Sequence, residues 1–341
     1  MRRKKLGRQS FVTANPPVLT GWGTAAGRKE GQGPLSAAFD FTAGDDSLGK
    51  KTWEQAETAF QEKALSFALE RAGVKPEHLD FLLAGDLLNQ CIASAFHARS
   101  VGVPFLGLYG ACSTMAEGLA LGALLLDGGF GTRAAAMTSS HFCSAERQYR
   151  NPLEYGGQKP PTAQWTATGS GAVILEATGQ GPRITHVTLG HVTDKGITDA
   201  NNMGAAMAPA AYETLRAHFE DTGRSPTDYD CIVTGDLGSL GREIVADFFR
   251  RDGVELGAVY QDCGALLFDA KAQDVHAGGS GCGCSALVLA GYLLKEMAAG
   301  KLDRLLFCGT GALHSPTSAM QGESVPGICH AVAIEYGEGA E

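Results

Sequence analysis

The sequence predicts an α/β protein made of two similar halves, each with a mixed, mostly parallel sheet. Apolar runs of strand length alternate with helical patterns along most of the 341 residues. The order of elements in the first half also returns in the second. Gly85-Asp86 is repeated as Gly235-Asp236, and Cys112-Ser113 is repeated as Cys284-Ser285. We therefore expect an internal duplication, with halves at residues 1–195 and 196–341. Right-handed crossovers would then give α-β-α-β-α layers with buried central helices.

Composition excludes several classes of function. The formal net charge of −9 argues against a nucleic-acid surface, which needs a basic face. No apolar run reaches the length of a membrane span. The basic tip Met1-Arg2-Arg3-Lys4-Lys5 lacks the following apolar run of a signal peptide, so it is typical either of a solvated end or of contact with an anionic membrane. The nine cysteines are expected to be reduced. Cys282-Gly283-Cys284 has one residue between its thiols, which is not the spacing of a zinc site, so we assign no metal or cofactor.

The first half is predicted to begin with an irregular segment. Gly and Pro residues interrupt residues 10–50, so we expect residues 1–50 to be rich in loops. Apolar residues at three- and four-residue steps then predict a helix over 52–72, ended by Gly73. Residues 79–84 form an apolar run typical of a buried parallel strand, and Asp86 lies in the loop at its carboxyl end. Asp86 either caps amides of this loop or contributes to a binding site.

The next strand and helix meet at a sharp turn. Residues 104–109 have strand length, and residues 113–127 are apolar enough for a helix buried on most sides. Thr114 and Glu117 have the spacing of a capping box, which places the helix start at Thr114. Gly128-Gly129 is expected to end the helix.

Cys112 lies at this strand-to-helix turn. The amides of Ser113 and Thr114 would be free in the first helical turn and would point towards the thiol. Such a position favours either a reactive thiolate or a bound carboxylate. The simpler alternative is a buried core cysteine.

Polar residues follow the next strand, predicted at 133–137. Ser139, Ser140 and His141 come at its carboxyl end. The polar excursion over 141–165 is too long for a plain turn, so we expect either a functional flap or an interface arm. Two antiparallel strands around a turn at Gly179 are then predicted at residues 168–175 and 183–191.

The second half repeats this order. A helix over 209–219 precedes the strand that ends in Gly235-Asp236, and Gly283-Cys284-Ser285 opens a buried helix over 286–298. Further strands are predicted at residues 229–236, 302–308 and 328–336. The Gly-Asp loops and Cys-Ser turns would then lie at the carboxyl ends of strands, where ligands bind in such sheets.

These features resemble the thiolase superfamily, in which a duplicated half carries a nucleophilic cysteine at the start of a buried central helix. Within it the chain resembles the stage V sporulation protein AD family over residues 15–336. The resemblance is carried by Leu83-Ala84-Gly85-Asp86-Leu87-Leu88-Asn89-Gln90, Tyr109-Gly110-Ala111-Cys112-Ser113-Thr114, Glu154-Tyr155-Gly156-Gly157-Gln158-Lys159-Pro160, Met207-Ala208-Pro209-Ala210-Ala211 and Ala277-Gly278-Gly279-Ser280-Gly281-Cys282. It implies a thiolase-like duplicated fold.

The resemblance also implies that catalysis has been lost. Active members of the superfamily use a histidine, and a second histidine or an asparagine, from the second half. At the matching places this chain has Thr234-Gly235-Asp236-Leu237-Gly238-Ser239 and Gly278-Gly279-Ser280-Gly281. Aspartate lacks the donor and acceptor pair of a neutral imidazole, and Gly-Ser has no side-chain amide.

The sporulation family is understood to bind dipicolinic acid (pyridine-2,6-dicarboxylic acid), free or with Ca²⁺, in the former acyl-enzyme site. The resemblance implies movement of this compound into or out of the spore with integral membrane partners, a peripheral position at the inner spore membrane, and a homodimer. The expected ligand contacts are Asp86, Cys112, Ser113, Thr114, Ser139, Ser140, His141, Gly279 and Ser280. An ionised Asp86 carboxylate would repel a dianion, so either Asp86 is protonated or Ca²⁺ bridges the two. A Ca²⁺ contact at Asp86 is therefore one of two alternatives.

Two other functions stay open. A working thiolase-like acyltransferase would be acylated on Cys112 from coenzyme A. A scaffold would act only through protein contacts in a spore membrane complex. The absence of second-half proton-transfer residues favours binding over catalysis, whereas the sequence does not separate binding from a scaffold.

Overall fold

The computed structural model describes residues 4–149 and 159–336. The first three residues of the basic tip and residues 154–158 of the Glu154–Pro160 motif lie outside the described residues. No helix within the described ranges is both long enough and apolar enough to cross a membrane.

Helices and strands alternate through both halves. The helices are α1 (Trp53–Ala72), α2 (Ile92–Val101), α3 (Thr114–Asp127), α4 (Phe142–Tyr149), α5 (Met203–Thr222), α6 (Gly238–Arg251), α7 (Cys263–Leu267), α8 (Cys282–Val288), α9 (Leu294–Ala298) and α10 (Pro316–Met320). The strands are β1 (Lys5–Leu6), β2 (Ser10–Val12), β3 (Val18–Ala26), β4 (Phe41–Thr42), β5 (Phe81–Gly85), β6 (Phe105–Gly107), β7 (Arg133–Ser140), β8 (Trp165–Thr166), β9 (Gly169–Glu176), β10 (Arg183–Thr188), β11 (Cys231–Thr234), β12 (Tyr260–Asp262), β13 (Gly279–Ser280), β14 (Arg304–Ala312) and β15 (Gly327–Glu335).

The strand order confirms the internal duplication. The main path runs β12-β11-β14-β15-β10-β3-β9-β7-β5-β6. In the first half β5 pairs in parallel with β6 and β7, and β9 pairs antiparallel with β7 and β3. In the second half β11 pairs in parallel with β12 and β14, and β15 pairs antiparallel with β14 and β10. The two mixed sheets are thus copies of each other, joined where Val18 of β3 pairs with Arg183 of β10.

The central helices lie between the two sheets, as predicted. Helix α3 packs on β5 and β7 of the first sheet and on β14 and β15 of the second. Helices α8 and α9 form one helix through the π-helical turn Leu289–Leu293, and their side chains share a single apolar core with α3. Helix α1 covers β3 and β9 from outside, and α5 covers β14 and β15. The order of layers is therefore α-β-α-β-α, the predicted thiolase-like arrangement.

The prediction of an irregular segment over residues 10–50 is wrong for residues 18–26. Val18–Ala26 forms the long strand β3, which is almost wholly buried in the middle of the sheet. A β-carbon at Gly21 would lie 2.2 Å from the Ala68 carbonyl oxygen, and one at Gly23 would lie 2.3 Å from that of Ala64. These glycines therefore let the backbone of α1 approach the strand, and they do not break it.

The predicted antiparallel pairing of β9 with β10 is also wrong. Strand β3 lies between them and pairs with both, so β9 and β10 are not neighbours.

The predicted helix over 209–219 begins earlier, at Met203, because Asn202 caps it and Pro209 is accommodated inside α5. The excursion over 141–165 contains α4, which the sequence did not predict. Helix α1 has its predicted bounds, with Thr52 as cap and Gly73 in the left-handed conformation at its end.

Candidate functional site

Cys112 lies in a tight 3₁₀ turn, Ala111–Ser113, directly before α3. Ala111 has a φ of 50°, in the left-handed region that side chains rarely adopt. Helix α3 begins at Thr114 and ends before Gly128, as predicted. The capping box does not form, because the Thr114 hydroxyl donates to the Ala111 carbonyl oxygen at 2.6 Å.

The amides expected to be free at this turn are occupied. The Ser113 amide donates to the Gly110 carbonyl oxygen at 3.2 Å, and the Thr114 amide donates to that of Ala111. A 3₁₀ turn closes such short-range hydrogen bonds, which an isolated α-helical start would leave open. In this structure the two amides are therefore not available to a carboxylate.

Two glycines of the second half bring β14 against this turn. A β-carbon at Gly311 would lie 2.7 Å from the Gly110 carbonyl oxygen, and one at Gly309 would lie 2.6 Å from the β-carbon of Ala116. Larger residues would push β14 away from the turn. The close approach lets side chains of the second half reach Cys112.

The Cys112 thiol lies close enough to the Cys282 thiol and the Asp236 carboxylate for both groups to shift its pKa. Cys282 begins α8, and its sulfur donates to the Ala111 carbonyl oxygen at 3.0 Å. The Cys282 thiol, burial and the negative charge of Asp236 together hold the pKa of the Cys112 thiol well above its ordinary value. All three effects favour the protonated thiol over the reactive thiolate.

Asp236 lies just after β11 and is fully buried, and its carboxylate accepts several hydrogen bonds. Its carboxylate accepts hydrogen bonds from the Thr310 hydroxyl at 2.8 Å, the Ser280 hydroxyl at 2.8 Å and the Gly281 amide at 3.1 Å. Burial raises the pKa of the Asp236 carboxyl, and these hydrogen bonds oppose that rise. The sequence indicated Asp236 only as the replacement for a missing base and did not place it beside Cys112. The sequence signal that could have located Asp236 is its place directly after Thr234-Gly235, at the end of a predicted strand.

Gly279 and Ser280, two of the expected ligand contacts, lie close to this cluster. They form β13, which pairs with Trp165 and Thr166 of β8. Gln164, which the sequence did not indicate, donates to the carbonyl oxygens of Asp236 and Gly279 at 2.5 and 2.9 Å. The end of the excursion therefore fixes the second-half side of the site.

Asp86 and Ser139 belong to a second buried polar cluster. The Asp86 carboxylate accepts hydrogen bonds from the Leu88 amide at 2.9 Å and from the Ser94 amide and hydroxyl at 2.8 and 2.7 Å. These contacts match the loop-capping alternative. Among the described residues, no group of three or more His, Cys, Asp or Glu side chains is arranged to hold a metal ion.

Glu57 of α1 is the second carboxylate of this cluster, and the sequence did not indicate it. It accepts hydrogen bonds from the Ser139 and Ser144 hydroxyls, each at 2.9 Å. The Gln61 amide donates to the Ser94 and Ser139 hydroxyls at 2.9 and 2.7 Å, which connects Glu57 to Asp86. Burial, with the charge of Asp86, raises the pKa of Glu57 to about 8.

Ser140 and His141 are held by the main chain. The Ser140 hydroxyl donates to the Ala167 carbonyl oxygen at 2.6 Å and accepts from the Gly283 amide at 2.9 Å, so it lies at the start of α8. The Nδ1 atom of His141 accepts from the Cys143 amide at 3.2 Å, and Nε2 lies 3.0 Å from the Asp46 carbonyl oxygen. Burial lowers the pKa of His141, so a neutral ring with its proton on Nε2 fits both contacts.

Aromatic and amide side chains form a rim near the thiols. The Tyr109 side chain is half exposed, and its hydroxyl lies 3.4 Å from the Asn89 side-chain oxygen and 3.3 Å from the Tyr149 hydroxyl. Tyr149 donates to the Leu87 carbonyl oxygen at 2.5 Å and is close enough to Cys282 for the two groups to interact electrostatically. Its ring centroid lies 5.8 Å from that of His314. The loops after β5, β6 and β14 therefore meet α4 at this rim.

Comparison with known sequences identifies one family. The family model of stage V sporulation protein AD matches residues 7–335. The stage V sporulation protein AD of Bacillus subtilis (strain 168) is 47% identical over 337 residues, which cover 99% of each chain.

Comparison with solved structures shows the fold. The 3-oxoacyl-[acyl-carrier-protein] synthase III of Aquifex aeolicus VF5 superposes with a TM-score of 0.58 at 13% identity, over 94% of this chain and 100% of that chain. A variant of OleA from Xanthomonas campestris gives a TM-score of 0.58 at 16% identity, over 96% and 100% of the two chains. Likeness at such low identity extends to the thiolase-like fold alone.

Proposed function

The chain belongs to the stage V sporulation protein AD family, and from this premise we propose that it is a non-catalytic binding protein for dipicolinic acid or its Ca²⁺ chelate. It acts in the movement of this compound into or out of the developing spore. The observation that carries the proposal is the Asp236 carboxylate beside the Cys112 thiol. A site that keeps its cysteine protonated is suited to holding a ligand without attacking it.

The electrostatics at Cys112 support binding over acyl transfer. A neighbouring imidazole stabilises a thiolate by forming an ion pair, whereas a carboxylate beside a thiolate repels it. Asp236 supplies only acceptor oxygens, and Ser280, Thr310 and the Gly281 amide already donate to them. Asp236 therefore offers the thiol a carboxylate, which neither forms an ion pair with a thiolate nor donates a hydrogen bond to a developing oxyanion, as an imidazole can.

The rim suits a planar aromatic ligand. Tyr109 and Tyr149 offer ring faces that can stack on a pyridine ring, and their hydroxyls and Asn89 can donate to carboxylate oxygens. A dianion entering beside Asp236 would be repelled, and a bound Ca²⁺ reduces that repulsion. This supports the chelate as the ligand.

Asp86 then acts as a positioning residue. Its carboxylate holds the Leu88 amide and the start of α2, which fixes the loop that carries Asn89. A direct Ca²⁺ contact at Asp86 would require these hydrogen bonds to be exchanged for the ion. The peripheral position at the inner spore membrane, the integral membrane partners and the homodimer belong to the same proposal and rest on the family.

Equilibrium titration of dipicolinate into the purified chain, with and without Ca²⁺, tests the proposal. We expect saturable binding that Cys112→Ala and Asp86→Asn each weaken at least several-fold. Cys231→Ala is the matched control, because Cys231 is also 7% exposed but lies at the opposite end of β11 from Asp236. An absence of saturable binding under both conditions would contradict the proposal and favour a scaffold.

A working acyltransferase is the second candidate, because the cysteine is retained at the start of a central helix in a thiolase-like fold. Incubation with labelled acyl-CoA, followed by peptide mapping, separates the two candidates. We expect no acyl group on Cys112. A stable acyl-thioester at Cys112 would overturn the non-catalytic proposal.

A further inference from the structure

Basic side chains are concentrated at the start of an otherwise acidic chain. Five of the 28 Lys and Arg residues fall within residues 1–8, which we call the basic arm and which contain no acidic residue. The remaining 333 residues carry 23 basic and 37 acidic side chains, a formal charge of −14. An anionic surface therefore attracts the basic arm, whereas it repels the rest of the molecule on average.

The described part of the basic arm is tied to the carboxyl end of α3. The Lys4 ammonium lies 3.0 Å from the Asp127 carboxylate and donates to the Asp127 carbonyl oxygen at 2.8 Å. Asp127 is the last residue of α3, so this cation also offsets the negative end of the helix dipole. Cys112 lies directly before the other end of the same 14-residue helix. The anchor of the basic arm and the candidate site are therefore about 20 Å apart.

The basic arm enters a hairpin that keeps its basic side chains in solvent. Strand β1 pairs with β2, and the Asp221 carboxylate accepts hydrogen bonds from the Arg8 and Gln9 amides at 3.0 and 2.9 Å. These contacts hold the main chain, while the residues Lys5 and Arg8 are exposed. The positive charges of the basic arm are therefore presented on a fixed part of the fold.

An exposed aromatic side chain lies at the same end of α3. Phe130 follows this helix by three residues and is 74% exposed. Its amide donates to the Leu125 carbonyl oxygen at 3.0 Å, which places it beside the last turn of α3. An exposed aromatic ring near several Lys and Arg residues is typical of proteins that bind the interface of an anionic bilayer.

We propose that the basic arm and Phe130 form a membrane-docking surface, which binds a bilayer of anionic lipids and leaves the Cys112 site facing away from it. The inference rests on the peripheral membrane position in the proposed function, to which it adds the contact surface and the orientation. Lys and Arg side chains supply the electrostatic attraction, and Phe130 inserts among the headgroups. Salt screens such attraction, so binding should weaken as ionic strength rises.

Sedimentation of the full chain with lipid vesicles, in the absence of dipicolinate, tests the surface. We expect binding to vesicles made of equal parts of phosphatidylglycerol and phosphatidylcholine at low salt, and little binding to phosphatidylcholine alone. The double substitution Lys5→Glu with Arg8→Glu should lower the partition coefficient about tenfold or more. Lys4 is left unchanged because it holds Asp127.

Lys50→Glu with Lys51→Glu is the matched control, because it changes the net charge equally at two exposed positions. These lysines precede Trp53, whose ring centroid lies 5.2 Å from that of His141, at the end of the molecule that carries the candidate site. An absence of binding to the anionic vesicles, or a loss no greater in the Lys5 and Arg8 variant than in this control, would overturn the proposal.

Dipicolinate titration of the Lys5 and Arg8 variant keeps this inference separate from the proposed function. We expect its affinity for dipicolinate to equal that of wild type, because the basic arm and the candidate site lie at opposite ends of α3. A failure of vesicle binding and a failure of ligand binding are therefore distinguishable.

The orientation is tested by Phe130→Trp, which keeps an exposed aromatic ring and adds a fluorescent indole. Brominated lipids in the anionic vesicles should quench the fluorescence of the added indole. The wild-type fluorescence, to which Trp53 at the site end contributes, should change little. An added indole that is not quenched, or strong quenching in wild type, would overturn the proposed orientation.

Discussion

At the scale of single residues, the two buried carboxylates of the first half define a polar cluster of their own. Glu57 and Asp86 are joined through Ser94, Gln61 and Ser139, and each carboxylate accepts two or more hydrogen bonds. Two negative charges this close and this buried repel each other. The pair therefore holds a proton at neutral pH, which we assign to Glu57 because burial and Asp86 raise its pKa to about 8.

This assignment predicts the pH dependence of stability. The pKa of Glu57 rises from its ordinary value of 4.5 to about 8 on folding, so the folded state binds a proton that the unfolded state releases. The resulting stabilisation is complete below about pH 4.5 and is lost as pH rises to about 8. We expect wild type to lose stability relative to Glu57→Gln between pH 5 and pH 8, as measured by urea unfolding.

The matched control for this substitution is Glu62→Gln, an exposed position on the same helix. Its stability difference from wild type should not change with pH. A gap between wild type and Glu57→Gln that stays constant, or that changes in the opposite direction, would show that Glu57 is ionised in the folded state.

Part of the candidate site could be predicted from the sequence, because some of its features depend only on residues that are close together in the chain. The start of α3 at Thr114 and the place of Cys112 follow from patterns within a few residues, so they were predictable. The proximity of Cys112 to Asp236 depends on how the two halves pack, and no local sequence pattern predicts it. The occupied amides of Ser113 and Thr114 depend on the choice between a 3₁₀ and an α-helical turn, which the residue types leave open.

At the scale of elements, the packing of α1 on β3 depends on glycine. Gly23→Ala would place a β-carbon 2.3 Å from the Ala64 carbonyl oxygen and 2.5 Å from the Ala68 amide nitrogen, both of them main-chain atoms of α1. Neither atom can move without shifting the helix. We expect a loss of about 2 kcal/mol or more in the free energy of unfolding.

Gly44→Ala is the control, because a β-carbon there has no atom within 4 Å. Its stability should stay within about 0.5 kcal/mol of wild type, or rise slightly because alanine restricts the unfolded chain. Equal effects of the two substitutions in denaturant unfolding would contradict the close-packing account of β3. The same geometry explains why this strand was not predicted: Gly21 and Gly23 resemble turn signals unless the neighbouring helix is known.

At the scale of the whole molecule, the two halves share one core. Leu119 and Met115 of α3 belong to the same apolar cluster as Leu287 of α8 and Phe307 of β14, all fully buried. The order of elements was predictable because the sequence repeats it. The junction of the sheets through β3 and β10 was not, because the pairing of distant strands leaves no local pattern.

This shared core predicts a single cooperative unfolding transition. Fragments 1–195 and 196–341 would each expose one side of the central helix layer, so neither should fold alone. Circular dichroism of each fragment, and calorimetry of the full chain, test this. Two separate transitions, or a cooperatively folded fragment, would show that the halves are independent domains.

The protonation state of the Cys112 thiol separates a binding site from an acyl-transfer site most directly. The measurement is the rate of Cys112 alkylation by iodoacetamide as a function of pH, with peptide mass spectrometry to distinguish Cys112 from the other cysteines. With Asp236 and Cys282 beside it, the thiol should react slowly at neutral pH, and its rate should still be rising above about pH 9. A rate that reaches its plateau below about pH 8 would reveal an activated thiolate and contradict the non-catalytic account.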